Sequence, residues 1–332
     1  EYRYRILVCV TILQALMNPI ASLVLIRING GTAMMRILGI VGVQICICVP
    51  IIVFQFCKGK EFFSKEYWGY ALRIGIPIVP HYLSGIILNQ GDRIMIDKMV
   101  GKTEVALYGL AYSIGMLVQL FISGMNSALT PWMYSKIKKG DIRSMRKVLQ
   151  LLSIVVVGIA VALMLISPEL VLIFGSPKYR EAVYVIPPVA ASVFFIFIYN
   201  ILSMPQFYYE KTQFLMAASM AAAGANVVLN FIFIRLFGYI AAGYTTLACY
   251  MLYSVGHYIV SKQILVNEGI QENLMNPGFL LACSVFLIGA SIICNLIFPY
   301  RILRYAILLA SAGLVFWKKE LLLKTMADIR KK

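Results

Sequence analysis

Apolar runs of about 20 residues, the length of helix that crosses the hydrocarbon core of a bilayer, recur along the whole of this 332-residue chain. Ten can be read, near 6–28, 33–56, 70–97, 104–133, 149–174, 182–205, 213–236, 239–261, 279–298 and 302–317. No other feature restricts the fold as strongly, because a backbone inside lipid has to satisfy its own hydrogen bonds. The runs are too long and unbroken for barrel strands, which alternate in segments of about 10 residues. Charged residues make up 13% of the chain, against about 25% in soluble domains. The expected fold class is an all-α integral membrane protein with about ten transmembrane helices. The chain opens at Glu1, shows no cleavable signal peptide and enters its first run behind Arg3 and Arg5, so it reads as a fragment lacking an N-terminal part.

Orientation follows from the loops. Of the 30 Lys and Arg residues, 19 fall in the loops or at the span ends on one side and nine on the other, and the remaining two, Arg73 and Arg93, lie in the third span. By the positive-inside rule the richer side is cytoplasmic and holds both ends of the chain, which predicts a cytoplasmic C-terminus. The net charge of +16 is then a consequence of topology. The basic stretch from Lys136 to Lys147 needs no nucleic acid, since anionic lipid already accounts for it. No loop exceeds about 20 residues on this reading, too little for the extramembrane region that a membrane glycan polymerase or ligase needs. A transporter is expected, not an enzyme. The seven cysteines lie mostly in apolar segments, and the close pair Cys46 and Cys48 points to different helix faces. Packing is their expected role, with no metal site and no cofactor.

Polar side chains at membrane depth are costly unless they face a cavity or one another, so their angular distribution carries the functional signal. In the fourth span Tyr108, Tyr112, Gly115, Gln119, Ser123, Asn126 and Thr130 fall within an arc of about 80°, one polar face along the whole helix. The first span collects Thr11, Gln14, Asn18 and Ser22, and the sixth Ser192, Tyr199, Ser203 and Gln206. The seventh aligns Ser219, Asn226 and Asn230; the eighth aligns Thr246, Tyr250, Tyr253 and His257. Single amides or hydroxyls only bind helices together, at about 0.6 kcal/mol each. Stripes of several such groups on at least five helices predict a solvated cavity. The last two spans carry few internal polar groups and look peripheral. Pro19, Pro77, Pro80, Pro187, Pro188 and Pro205 lie within or at the ends of spans, where they permit bending.

The third span holds the sharpest cluster. Taking His81 as zero, Ser84 falls at about 300°, Asp92 at about 20°, Asn89 at about 80° and Arg93 at about 120°. His81, Ser84 and Asp92 therefore share a face, with Asn89 at its margin. Asp92 and Arg93 either anchor the helix at the interface or bind a coupling cation (H+ or Na+) and an anionic substrate respectively. His81 and His257 are hydrogen-bonded structural groups or proton carriers. Asp97 and Lys98, at the exit, read as solvated charges.

The stretch "NQGDRIMIDKMVGKTEVALYGLAYSIG" resembles the signature region of the Wzx-type polysaccharide-unit flippases of the multidrug/oligosaccharidyl-lipid/polysaccharide exporter superfamily. There, an Asp-Arg pair at a helix end precedes a Gly-containing turn and a Tyr-rich helix. "NVVLNFIFIRLFGYIAAGYTTLACY" is similar to the same family's Asn-x-x-x-Asn, Gly and Ala-Ala-Gly hinge between two later helices. The resemblance implies part of a two-bundle, 12–14-helix inverted-V transporter. Residues 1–57 would be the last two helices of the N-terminal bundle, 58–69 a cytoplasmic linker, 70–265 a six-helix C-terminal bundle, and 266–332 two additional helices and a cytoplasmic tail. It also implies a place in the bacterial cytoplasmic (inner) membrane and movement of an undecaprenyl-pyrophosphate-linked oligosaccharide across it by alternating access for surface polysaccharide biosynthesis. Its partners would be the lipid-linked oligosaccharide, membrane lipids, and polysaccharide polymerase and chain-length machinery, with no nucleic acid.

An oligosaccharide suits a cavity lined by Tyr, Asn, Gln, Ser and Thr, and a pyrophosphate needs cations. Arg73, Arg93 and Arg235 are candidates, with Arg27 and Arg36 behind them. The expected lining comprises Gln14, Asn18, Arg73, His81, Ser84, Asn89, Asp92, Arg93, Tyr108, Tyr112, Gln119, Asn126, Tyr199, Asn226, Asn230, Tyr250 and His257. A lipid II flippase or a cation-coupled multidrug exporter of the same fold is the nearest alternative. The latter calls for a more acidic cavity, whereas acids inside these spans are nearly confined to Asp92.

Overall fold

The computed structural model describes residues 4–28, 30, 33–59 and 63–317. Arg3, Lys60, the side chain of Arg5 and residues 318–332, on which part of the charge asymmetry rests, lie outside the described residues. Among the described residues there are eleven α-helices, one 3₁₀ helix and no strand. They are α1 (Tyr4–Ile28), α2 (Ala33–Gly59), α3 (Lys65–Met99), α4 (Lys102–Gly115), α5 (Leu117–Lys138), α6 (Ile142–Phe174), α7 (Ile186–Tyr208), α8 (Thr212–Phe237), α9 (Ala241–Asn267), α10 (Pro277–Ile297) and α11 (Arg301–Trp317), with the 3₁₀ segment Pro177–Val185 leading into α7. The protein is an all-α, multi-pass membrane protein.

Each expected span corresponds to a helix, or to a pair of helices. Among the described residues, however, seven segments are long and apolar enough to cross a membrane, or eight if the bent α4–α5 pair is one span. Neither α9 nor α11 is among them. The described part of α11 is 17 residues, and α9 carries the Thr, Tyr and His stripe that lowers its hydropathy. That deficit is tolerable because the stripe is turned inward, so the polar groups meet protein and not lipid.

The fourth expected span is a correction to the sequence reading. It is not one continuous helix but bends by 40° between α4 and α5, at Gly115 and Met116. A Cβ on Gly115 would lie 2.7 Å from Val189 Cγ1 and 2.9 Å from Val189 Cβ on α7. The glycine admits this close approach, and the polar face parts there. Tyr108 and Tyr112 look one way, while Ser123 and Thr130 hydrogen-bond to their own helix, to the Gln119 and Asn126 carbonyls.

The chain divides into two compact units, Glu1–Leu72 and Arg73–Lys332. In the first, α1 and α2 form an antiparallel pair held close where Gly39 meets Ser22, a Cβ there falling 2.6 Å from the Ser22 Cα. In the second, α7 is the central element, packed by α9, α6, α5 and α10. Its first half is almost wholly apolar, as a helix enclosed by others must be, and its polar groups gather in the second half. From Ile186 to Ile198 every residue is buried. Local signals set the ends: Asp141 accepts from the Ser144 N–H at the start of α6, Asn276 caps α10 ahead of Pro277, and Gly238 (φ 74°) ends α8 in a left-handed turn.

The last two helices are less peripheral than their sequence suggests. Arg304, one of the nine basic residues that the sequence assigns to the outer side, is 3% exposed. It donates from Nη1 and Nη2 to the two carboxylate oxygens of Glu169 on α6, both at 2.9 Å, and from Nη1 to the Leu165 carbonyl at 2.7 Å. A bidentate pair of this kind ties α11 to α6 where hydrocarbon would otherwise exclude the charge.

Candidate functional site

Asp92 and Arg93 are neighbours in α3 but face different surroundings. The Asp92 carboxylate is buried among four helices and accepts three hydrogen bonds, from Tyr108 Oη of α4 at 2.6 Å, Asn230 Nδ2 of α8 at 2.5 Å and Thr246 Oγ1 of α9 at 2.6 Å. Asn230 also donates to Asn226 Oδ1, 3.1 Å away, and accepts from Thr245 Oγ1. Every donor to Asp92 is neutral. The carboxylate therefore sits in a cage of hydroxyls and amides with no cation opposite it, and the Asn226 Nδ2 beside it is buried without a partner. Spacing explains the cage: Asn226 and Asn230 are one turn apart on α8, and Thr245 and Thr246 lie near the start of α9, across the tight turn at Gly238.

Arg93 turns instead to a cavity of about 630 Å³ inside the second unit. Its guanidinium lies 5.0 Å from the Tyr112 ring centroid and donates from Nη1 to Gln90 Oε1 at 2.6 Å, while its Nε is buried with no partner. A guanidinium facing an aromatic ring and a neutral amide is free to take an anion. Asn89, on the same wall, accepts from Tyr112 Oη at 2.9 Å and Tyr250 Oη at 3.4 Å. Opposite them Tyr199 lies nearly parallel to Tyr250, and its ring centroid is 4.5 Å from that of Tyr253, whose hydroxyl is 3.1 Å from His81 Nδ1. The cavity is thus lined by aromatic faces, amides and hydroxyls around one permanent positive charge.

Of the residues singled out from the sequence, His81, Asn89, Arg93, Tyr112, Tyr199 and Tyr250 line this cavity together. Asp92, Tyr108, Asn226 and Asn230 meet behind it in the carboxylate cage. His257 is buried between α9 and α7, bonded to Gln206. Ser84 is buried, its hydroxyl turned back to the Pro80 carbonyl. Gln119 and Asn126, on α5, are not among the cavity's lining residues; each has a buried side-chain oxygen without a partner. Gln14 and Asn18 belong to the first unit, where Gln14 lies 3.9 Å from Cys48 Sγ. Arg27, Arg36, Arg73 and Arg235 are exposed.

The lining also includes Tyr82, Gln90, Asn200, Ser203, Phe207 and Tyr253. Tyr253 and Ser203 stood on the stripes read from the sequence, and Gln90 and Asn200 are direct neighbours of residues named there. Tyr82 and Phe207 carried no such signal, because an aromatic residue in a membrane helix is ordinarily lipid-facing or core. Among the described residues, no group of three or more His, Cys, Asp or Glu side chains is placed to hold a metal ion.

Comparison with known proteins agrees with this architecture. The family described as Polysaccharide biosynthesis protein matches residues 3–138, and the MatE family matches residues 77–232. Among curated proteins, the chain is 28% identical over 172 residues to the Lsg locus protein 1 of Haemophilus influenzae, an alignment covering 48% of this chain and 41% of that protein. It is 29% identical over 167 residues to an uncharacterised membrane protein of the same organism, with 47% and 40% covered. The alignments thus span about two-fifths of these relatives' own length. No solved structure matches the chain. The two family matches overlap over residues 77–138 and together run from residue 3 to residue 232, so the chain is similar to both the Polysaccharide biosynthesis protein and the MatE families.

Proposed function

We propose that this chain is the cavity-bearing part of a flippase that carries an undecaprenyl-pyrophosphate-linked oligosaccharide across the bacterial cytoplasmic membrane by alternating access. The observation that carries the reading is the cavity in which Arg93, without a carboxylate partner, stands among Tyr112, Tyr199, Tyr250, Tyr253, Asn89 and Asn200. Tyrosine faces and amides suit the flat apolar faces and the hydroxyls of sugar rings. The guanidinium suits the pyrophosphate, with its planar fork of donors. The lipid tail stays in the bilayer, so only the polar head has to enter.

Asp92 is the place for a coupling cation. Its carboxylate and the oxygens of Tyr108, Thr246 and Asn226 form a hard-oxygen set suited to a proton or sodium, and the residues come from four helices whose separation would dismantle the set. Ion occupancy would then favour the packed arrangement of α3, α4, α8 and α9 over one in which they part. The MatE match over residues 77–232 keeps a cation-coupled drug exporter as the second reading. Against it stands the cavity wall, which among the described lining residues presents no carboxylate to a cationic drug.

The test uses the full-length protein that contains this chain, expressed in cells lacking their own copy. Asp92→Asn and Arg93→Ala should each cut surface polysaccharide several-fold while the protein remains in the membrane at its usual level. Normal surface polysaccharide with both changes present would show that the pair only anchors α3.

A further inference from the structure

The face of α9 that presents Thr246 to Asp92, and Tyr250 and Tyr253 to the cavity, continues for two more turns as His257 and Ser261. His257 is fully buried. From α7, Gln206 Nε2 donates to His257 Nδ1 at 2.8 Å and to the Leu202 carbonyl at 3.2 Å. An amide nitrogen facing two acceptors puts the imidazole proton on Nε2. That Nε2, the Gln206 Oε1 and the Ser261 Oγ are all buried and without a partner. Three such atoms on two facing helices are expensive in a membrane interior unless a transient partner passes between them.

Both ends of this cluster lead somewhere. Towards the cavity, the His257 ring centroid is 4.5 Å from that of Tyr253, whose hydroxyl reaches His81, and 5.8 Å from that of Tyr199. Tyr250 Oη and Tyr112 Oη then share Asn89, and Tyr108, whose ring is 5.8 Å from that of Tyr112, donates to Asp92. In the other direction, past Ser261, α9 borders a second cavity of about 300 Å³ lined by Lys211, Gln263, Asn267 and Glu268. This is the Lys262-bearing end of α9, cytoplasmic by the charge bias.

We propose that this file of hydroxyl, imidazole and amide groups on α9 is a proton path between the Asp92 cage and the cytoplasmic end of the helix, with His257, Gln206 and Ser261 as its relay. The proposal rests on the reading of Asp92 as the coupling-ion site and names that ion as a proton. Sodium would have to travel whole, with its ligands, past side chains that are at most 1% exposed. A proton needs only hydrogen-bonding groups and single bridging waters. Gln206 rotates its amide to turn Oε1 towards His257, Nδ1 gains a proton from the cavity side, and Nε2 releases its proton towards Ser261. The imidazole ends neutral in its other tautomer, and a half-turn of the ring with return of the amide presents a bare nitrogen to the cavity side and a protonated one to Ser261, which resets the relay. Tyr199 and Gln206 face the ring from α7 and Tyr253 from α9, Tyr253 linking it to His81 of α3, and among the described residues no carboxylate pairs with it.

The experiment places the purified full-length protein in liposomes that hold a pH-sensitive dye and imposes an inward-driving potential with potassium and valinomycin. Wild type should take up protons faster than empty liposomes. His257→Leu should lose about tenfold or more of that uptake, the scale on which a positioned proton carrier contributes. Ser261→Ala, which removes an oxygen with no protein partner, should slow it several-fold. Unchanged uptake in a folded His257→Leu protein, or no uptake by wild type above empty liposomes, overturns the path. If His257→Leu does not fold, Ser261→Ala decides alone, and unchanged uptake there overturns it. Asp92→Asn separates the two ideas. Uptake lost in Asp92→Asn but kept in His257→Leu removes the path and leaves Asp92 as the ion site. Uptake kept in Asp92→Asn but lost in His257→Leu removes the ion role of Asp92, and with it the endpoint of the path.

Discussion

A carboxylate at membrane depth survives only where its oxygens find hydrogen-bond partners, and Asp92 shows how neutral groups achieve this. Two hydroxyls and an amide, at 2.5–2.6 Å, meet its oxygens in place of water. Arg93, one residue on, has the opposite arrangement: its charge is left for the cavity and steadied by the face of Tyr112. Arg304 follows a third course, neutralised outright by Glu169. Its side chain is 4% exposed and that of Glu169 26%, so the pair is substantially shielded from water. Arg304→Met should lower stability by about 2 kcal/mol, mainly because Glu169 and the Leu165 carbonyl lose their donors. Adding Glu169→Gln to that variant should recover part of the loss, which thermal unfolding of the purified protein can measure. Equal losses in the single and double variants would show that the guanidinium acts through packing alone.

At the level of helices, the bend between α4 and α5 does what a straight helix could not. It directs Tyr108 and Tyr112 to Asp92 and Asn89 while α5 continues along α7. Gly115 makes this possible, since its missing Cβ is the space that Val189 occupies. Gly115→Ala should destabilise the protein by about 1–3 kcal/mol through overpacking, and Val189→Ala should relieve it. A Gly115→Ala protein with unchanged thermal midpoint would mean that α4 and α7 part freely, contrary to the packing seen. The run of apolar residues over 104–133 betrays none of this, because hydropathy is blind to where a helix breaks unless a proline or a polar gap marks the point. Tyr108 and Tyr112 could still be placed on a functional face, one turn apart with the carboxylate's helix just upstream. The length of the face could not.

For the molecule as a whole, topology is the property with the most direct test. Reporter fusions in the full-length protein should give an inactive periplasmic enzyme such as alkaline phosphatase after Lys139 and an active one after Arg180, as the excess of Lys and Arg on one side requires. The reverse pattern would invert the reading of every loop. By itself the sequence determined the class of protein, the course of most helices and which side chains were too polar to face lipid, because these depend on local length, hydropathy and a helical period of about 3.6 residues. Only the tertiary structure decided which polar stripes meet. Asp92 and Thr246 are separated by 154 positions, and a helical wheel fixes a direction around one axis without saying what lies across from it. The division of neighbouring Asp92 and Arg93 between a closed cage and an open cavity, and the burial of Arg304 against Glu169, depend on how helices pack. Packing sums interactions over the whole chain, and no single stretch contains it.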